Sequence, residues 1–147
     1  MIFQNQFSVP GKQSSVKELR DRYDRGLTTE FNTAHSPATI SSLLKIYLQS
    51  LPEPIIPISS FDDCLAIGSR FKYNNKAEDL NNLKQLIETN LSNINYAVLA
   101  YLCLFLKKLT DHVEVTKMDT ENLALVFGNN LIRPGEELDL DMIRGHK

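Results

Sequence analysis

The longest apolar stretch of this chain is AVLAYLCLFL, which runs from Ala97 to Leu106. Its ten residues are too few to cross a bilayer, which needs about 20 apolar residues. A helix that is apolar almost all round is typical of the interior of a globular domain. We therefore expect a helix that follows Ser92 or Asn93 to be the central element of the fold.

Other segments show apolar residues at helical spacing, with no sustained strand alternation between them. Ser15 and Glu18 fit a capping box at the start of one helix, and Gly26 ends it. Ser36, followed by a proline, fits the N-cap of a second helix, which the sequence PEP then stops. Further helices are predicted to begin near Ser59 or Ser60, Ala77, and Asp119 or Thr120. The sequence predicts one all-α domain over residues 1–147, an irregular bundle of about six helices.

Composition and motifs exclude several classes of function. A net charge of −2 gives no bulk attraction to nucleic acid, and no signal peptide or transmembrane segment is visible. The histidines lack metal-ligand spacing and there is no glycine-rich phosphate loop, so neither a metal nor a cofactor is expected. Cys64 and Cys103 lie in apolar helical patterns, which predicts buried, reduced thiols and favours the cytoplasm.

Three blocks of sequence carry more information than the pattern of apolar residues. They are FSVPGKQSSVKELRDRYDRG from Phe7, ISSLLKIYLQSLPEPIIP from Ile40, and KMDTENLALVFGNNLIRP from Lys117. In content and order they are similar to the arginine-finger loop, the L-L-K-x-Y-L-R-x-L-P-E-P helix and the K-M-x-x-x-N-L-A-x-V-F-G-P-N-L helix of the Rho GTPase-activating (RhoGAP) domain. The chain resembles that family over nearly its whole length.

The resemblance implies a domain that binds a GTP-loaded Rho-family GTPase and accelerates its hydrolysis of GTP, without being an enzyme on its own. In the family an arginine follows the phenylalanine of the first block, and here that position is Ser8. Because serine carries no charge, we expect catalytic activation to be weakened or absent. Lys12 is either a surrogate cation or a solvated surface lysine. Pro10 and Gly11 are expected to shape the turn, proline by its fixed φ and glycine by permitting the bend.

The resemblance also assigns GTPase-binding positions. Lys45 corresponds to the family's lysine, whereas Gln49 stands where the family has arginine. Asn122 and Asn130 match the family's asparagines, and Asn129 replaces its usual proline. Each has a structural alternative: Lys45 as a surface lysine, Asn122 as a buried amide bonded to backbone, and Asn130 as a helix-end residue in the left-handed conformation.

The family also has one helix before the first block and one after the third, which this chain lacks. Either the chain is a segment of a longer protein or it is a minimal version of the domain. In both cases we expect apolar surface at its edge, which would serve homodimerisation. A cytoplasmic location follows from the partner class, with membrane recruitment left to regions outside this chain. The alternatives to an activator are a non-catalytic GTPase-binding scaffold and a helical protein-interaction module.

Overall fold

A computed structural model describes residues 10–27, 30–71 and 76–135 of the chain. Within those ranges it contains seven α-helices, one short 3-10 helix and no strand, which confirms the all-α prediction. None of the helices there combines the length and apolar character that crossing a bilayer requires.

Six of the seven α-helices correspond to the segments predicted from apolar spacing, and the four-residue α6 was not predicted. In chain order the helices are α1 Gln13–Asp24, α2 Pro37–Ser50, α3 Phe61–Phe71, α4 Lys76–Asn90, α5 Asn93–Thr110, α6 Val113–Thr116 and α7 Thr120–Leu131. The 3-10 helix Ile58–Ser60 leads directly into α3.

The chain groups into two compact units. One takes in Met1–Leu51 with Cys103–Asn130, and the other takes in Pro52–Leu102 with Leu131–Lys147. In the first unit α1 packs on α2, and its buried apolar side chains are Val16, Leu19, Leu48, Met118, Leu123 and Phe127. The prediction of a single domain over residues 1–147 stays a prediction.

The second unit contains buried apolar side chains, a backbone hydrogen bond between distant segments and an ion pair between two helices. Its buried apolar side chains are Ile55, Ile67, Leu91, Leu99 and Leu102. The Ile56 N–H donates to the Leu131 carbonyl at 3.0 Å, which pairs the segment after α2 with the end of α7. Arg70 Nε lies 3.5 Å from Asp79 Oδ1, so an ion pair with a buried carboxylate joins α3 to α4.

Two helix ends follow the predicted capping chemistry. At the start of α2, Ser36 Oγ accepts a hydrogen bond from the Thr39 N–H at 3.2 Å. At the end of α1, Gly26 has a φ of +68°, a conformation that glycine adopts without steric cost. The N–H groups of Gly26 and Leu27 then bond back to the last turn of α1 as a Schellman motif.

The start of α1 differs from the prediction. The helix begins at Gln13 with Lys12 as its N-cap, and no side chain caps it there. Ser15 is already inside the helix, and its N–H donates to the Lys12 carbonyl at 3.0 Å. The predicted capping box of Ser15 and Glu18 is therefore wrong, because α1 starts earlier, directly after the turn at Gly11.

The central position predicted for α5 is also wrong. Leu99 and Leu102 are buried, but Ile94 and Tyr101 are 76% and 79% exposed. The continuous apolar run predicted that α5 would be buried on every side. In the part of the chain that the structure describes, α5 buries one side only.

The two cysteines are less buried than the sequence predicted. Both are free thiols; Cys64 is half-buried and Cys103 is exposed. Burial, and secondly the charge of Asp63, raise the pKa of the Cys64 thiol, which keeps it protonated at neutral pH. The apolar run around Cys103 did not predict this exposure, because Tyr101 and Leu104 in the same run are exposed as well.

Candidate functional site

A groove of about 480 Å³ lies between α2 and α7. Its lining residues all belong to the first compact unit, and they are Ser42, Lys45, Ile46, Gln49, Leu125, Val126, Asn129 and Asn130. The groove therefore brings together three of the predicted site residues, Lys45, Gln49 and Asn130.

Helical spacing places the polar α2 residues on one face. Ser42, Lys45 and Gln49 are separated by three and then four residues, which makes them neighbours along the surface of a helix. Among the described residues that line the groove, Lys45 is the one cation. Sequence reasoning missed Ser42, although its spacing from Lys45 was a signal that could have found it.

A pair of amides joins the two sides of the groove. Gln49 Nε2 donates to Asn130 Oδ1 at 2.6 Å, and Asn130 Nδ2 donates to the Val126 carbonyl at 2.6 Å. Asn130 is only 4% exposed, so its side-chain amide is used inside the protein. Gln49, which replaces an arginine of the family pattern, thus connects α2 to α7 by a neutral hydrogen bond.

The alternatives considered for the asparagines do not hold. Asn130 lies within α7, which continues to Leu131, and Lys117 is the one non-glycine residue with positive φ among those described. Asn122 is exposed, so it is not a buried amide. The helix also continues through Asn129, whose backbone retains the N–H that a proline would lack.

Among the described residues, Asn122 does not share the groove with Lys45, Gln49 and Asn130. It lies in the first turn of α7, where its backbone N–H donates to Asp119 Oδ1 at 2.8 Å. Eight residues separate it from Asn130, a distance of about 12 Å along a helix. Asn122 is not among the residues that line the α2–α7 groove.

The turn before α1 rests directly on α2. A Cβ atom on Gly11 would lie 2.5 Å from the Thr39 Cα and 2.9 Å from the Ala38 carbonyl oxygen, which leaves no room for a side chain. The Gly11 N–H donates to Ser42 Oγ at 2.9 Å. Gly26 alone among the described glycines has positive φ. Gly11 is therefore required for close approach and not for a left-handed backbone; that it permits the bend into α1 stays a prediction.

Gly11→Ala is expected to lower the free energy of unfolding by about 1–3 kcal/mol, because the new methyl group meets rigid backbone atoms of α2. Gly68→Ala is the matched control: nothing lies within 4 Å of its Cβ position, in the interior of α3. That control should stabilise the protein by about 0.5–1 kcal/mol. Urea denaturation of both variants measures the difference, and equal effects would contradict the close approach at Gly11.

Ser8 lies outside the described residues, so its surroundings stay a prediction. Lys12, the proposed surrogate, is exposed and follows Gly11 at the N-cap of α1.

A second groove, between α1 and α2, is lined mainly by apolar residues, with Arg20, Asp24 and Ser50 beside them. Its volume is about 550 Å³, and its apolar lining residues are Tyr23, Phe31, Ile40, Leu43, Leu44, Ile46 and Tyr47. The rings of Tyr23 and Phe31 approach with their centroids 6.3 Å apart. This groove is an apolar surface on the first unit; whether it corresponds to the expected edge surface stays a prediction.

Comparison with known proteins gives consistent matches. A family model described as "RhoGAP domain" matches residues 3–136. Rho GTPase-activating protein 24 from Mus musculus is 37% identical over 139 residues, which cover 95% of this chain and 18% of that protein. Rho GTPase-activating protein 25 from Homo sapiens is also 37% identical over 139 residues, covering 95% of this chain and 21% of that protein. The chain thus spans less than a quarter of the length of these curated relatives.

Among solved structures, the chain is similar to the crystal structure of the BH domain from Graf, the GTPase regulator associated with focal adhesion kinase. The TM-score is 0.76 at 26% sequence identity, and the match covers 94% of this chain and 73% of that chain. The helical architecture and the order of the sequence blocks agree with this match.

Proposed function

Because this chain belongs to the RhoGAP domain family, we propose that it binds a Rho-family small GTPase in its GTP-bound state and that it does so through the α2–α7 groove. The observation that carries this proposal is the convergence of Lys45, Gln49 and Asn130 on one groove of one compact unit. Their positions were selected from sequence blocks far apart in the chain. Asn122 is proposed as a further contact at the other end of α7.

Catalysis in this family depends on charge supplied to the partner. Phosphoryl transfer builds negative charge on the transferred group and the leaving oxygen, and an arginine inserted by the activator stabilises it. The chain provides Ser8 at that position, and a hydroxyl cannot supply a positive charge. We propose that the chain is not an enzyme by itself and that its stimulation of GTP hydrolysis is weak or absent.

Serine at the finger position also favours a second candidate function, a GTPase-binding scaffold without activating capacity. An activator would raise the rate of GTP hydrolysis and a scaffold would not, whereas both would bind the GTPase. Titration of this chain against a panel of Rho-family GTPases loaded with a non-hydrolysable GTP analogue tests the binding. Single-turnover GTP hydrolysis with the same panel tests activation. A panel in which no GTPase binds would contradict both candidates.

Lys45→Ala is expected to weaken binding to the GTP-loaded partner about tenfold, because a charge-assisted hydrogen bond contributes roughly 1.5 kcal/mol. The thermal midpoint should hardly change, since Lys45 lies on the groove surface. Lys84→Ala is the matched control, because Lys84 is a solvated lysine on α4 whose ion pair is with Glu88. Equal affinity of the Lys45 and Lys84 variants would remove Lys45 from the binding site.

We propose further that two copies associate through the apolar α1–α2 groove. Tyr47 at its edge is 58% exposed, and apolar patches of this kind on soluble domains usually mark association sites. Light scattering after size exclusion should show a mass that rises towards that of a dimer with concentration. Tyr47→Lys should hold the chain as a monomer. A wild-type chain that is monomeric at every concentration would contradict the proposal.

The proposed location is the cytoplasm, with recruitment to membranes assigned to regions outside this chain. The support is the class of the proposed partner together with the free thiols Cys64 and Cys103.

A further inference from the structure

Ser42 lies where the turn that follows the finger position meets the groove. Its hydroxyl oxygen accepts the Gly11 N–H at 2.9 Å. The same residue lines the α2–α7 groove, and it lines a smaller cavity of about 290 Å³ beside Pro10 and Gly11. Ser42 is thus in contact with both parts of the proposed site.

We propose that Ser42 is a positioning residue, which fixes the finger loop on α2 through the Gly11 N–H. The proposal rests on the function proposed above, because it assigns Ser42 a task in the activation of a bound GTPase. Ser42 would not touch the nucleotide; it would act through the loop that presents position 8.

Two contacts hold the turn on α2 together. Without a side chain, Gly11 sits against the backbone of Ala38 and Thr39, so the turn cannot approach α2 more closely. The hydrogen bond to Ser42 keeps it from moving away. Steric exclusion at Gly11 sets the smallest distance between the turn and α2, and the hydrogen bond to Ser42 limits the largest. Together the two contacts hold the turn in one position.

Chain connectivity links Gly11 to residue 8. Ser8 precedes Gly11 by three positions, and three residues span at most about 11 Å. Fixing Gly11 therefore limits the placements that are open to residue 8. A free loop would sample many placements, and most of them would not present residue 8 to the nucleotide.

The helix that anchors the loop also carries the groove lysine. Ser42 precedes Lys45 by three residues, a rise of about 4.5 Å along α2. Anchoring at Ser42 thus sets the loop relative to the residue proposed to contact the GTPase. We expect the hydrogen bond of Ser42 to influence the rate of hydrolysis more than the affinity for the GTP-bound ground state. The placement of residue 8 matters most in the transition state, where negative charge develops on the phosphoryl group.

The first experiment measures the anchor in the chain alone. Amide exchange of Gly11, followed by NMR, should become about fivefold faster in Ser42→Ala, as the loss of one hydrogen bond predicts. Ser42→Thr, which keeps the hydroxyl, should restore slow exchange. Ser50→Ala is the matched control, because the Ser50 hydroxyl bonds to its own helix at Tyr47. Unchanged Gly11 exchange in Ser42→Ala would overturn the proposal.

The second experiment measures the consequence for catalysis, with Ser8→Arg present so that a rate can be followed. Addition of Ser42→Ala should lower the maximal single-turnover rate about three- to tenfold and change the half-saturating concentration less than about twofold. Ser42→Thr in place of Ser42→Ala should give the rate of the Ser8→Arg chain. Addition of Ser50→Ala to the Ser8→Arg chain should leave its rate unchanged. An equal rate with and without Ser42→Ala would overturn the role in positioning.

Failure of the proposed function is distinguishable from failure of this inference. If no Rho-family GTPase binds the chain, the proposed function is wrong, and the Gly11 exchange still decides whether Ser42 holds the turn. If the GTPase binds and Ser42→Ala weakens that binding as strongly as it lowers the rate, Ser42 is a binding residue and the positioning role is wrong.

Discussion

Ser8→Arg is expected to raise the rate of GTP hydrolysis by a cognate Rho-family GTPase about tenfold or more. An arginine finger contributes roughly 10³ to 10⁵ to the rate in related systems, because it stabilises charge that develops only in the transition state. We expect a gain below that range here, because Gln49 also stands where the family pattern has an arginine. Affinity for the GTP-bound form should change much less than the rate.

Ser8→Gln introduces a long neutral side chain. It therefore tests whether the effect of arginine on the rate comes from its positive charge or from its length. Ser8→Gln should leave the rate near that of the wild-type chain, because an amide brings hydrogen bonds without a positive charge. Two results would contradict the assignment of Ser8. A strongly active wild-type chain would point to Lys12, and Lys12→Ala should then abolish the activity. A Ser8→Arg chain that binds normally and stays inactive would mean that the loop does not present residue 8.

Phe127→Ala is expected to lower the free energy of unfolding by about 3–5 kcal/mol, the cost of removing a large buried side chain and leaving a cavity. Phe127 is 1% exposed and lies in α7, among the buried apolar side chains of the first unit. Leu125→Ala is the matched control two residues away, because Leu125 is 78% exposed. The control should change the free energy by no more than about 0.5 kcal/mol.

Chemical denaturation of the two variants tests the packing of α7 directly. A loss below about 1 kcal/mol for Phe127→Ala would mean that α7 is not packed as described. A loss for Leu125→Ala as large as that for Phe127→Ala would mean that the exposed face of α7 is covered in solution.

Two helix ends were predicted correctly from a short window of sequence. The N-cap of α2 at Ser36 and the Schellman motif at Gly26 each depend on neighbours within about five residues. Their chemistry is therefore written in a short window of sequence. The starts of α4 and α5 and both ends of α2 followed for the same reason.

Features that depend on distant residues were not predictable in this way. Ser15 and Glu18 have the spacing of a capping box, but α1 starts at Gln13 because the preceding turn rests on α2. The need for glycine at position 11 arises from the backbone of Thr39, which no local pattern around Gly11 contains.

The candidate site also combines features that were predictable from sequence with contacts between distant residues that were not. The resemblance selected Lys45, Gln49 and Asn130, and the structure places them in one groove. That Gln49 would donate to Asn130, and that Asn130 would be buried, depends on contacts 81 residues apart in the chain. Asn122 was selected by the same motif, yet helical rise carries it away from the groove.

The shared face of α2 has a consequence for insertions and deletions in this segment. From this single helix Ser42 bonds to Gly11, Gln49 bonds to Asn130, and Lys45 is proposed to contact the GTPase. The relative directions of the three side chains therefore depend only on the number of residues between them. Loss or gain of one residue within 42–49 would turn everything after it by about 100° and shift it by about 1.5 Å. Gln49 would then leave α7 while Ser42 still faced Gly11. Exchange of side chains at constant length keeps these directions, and glutamine where the family pattern has arginine at position 49 is such an exchange.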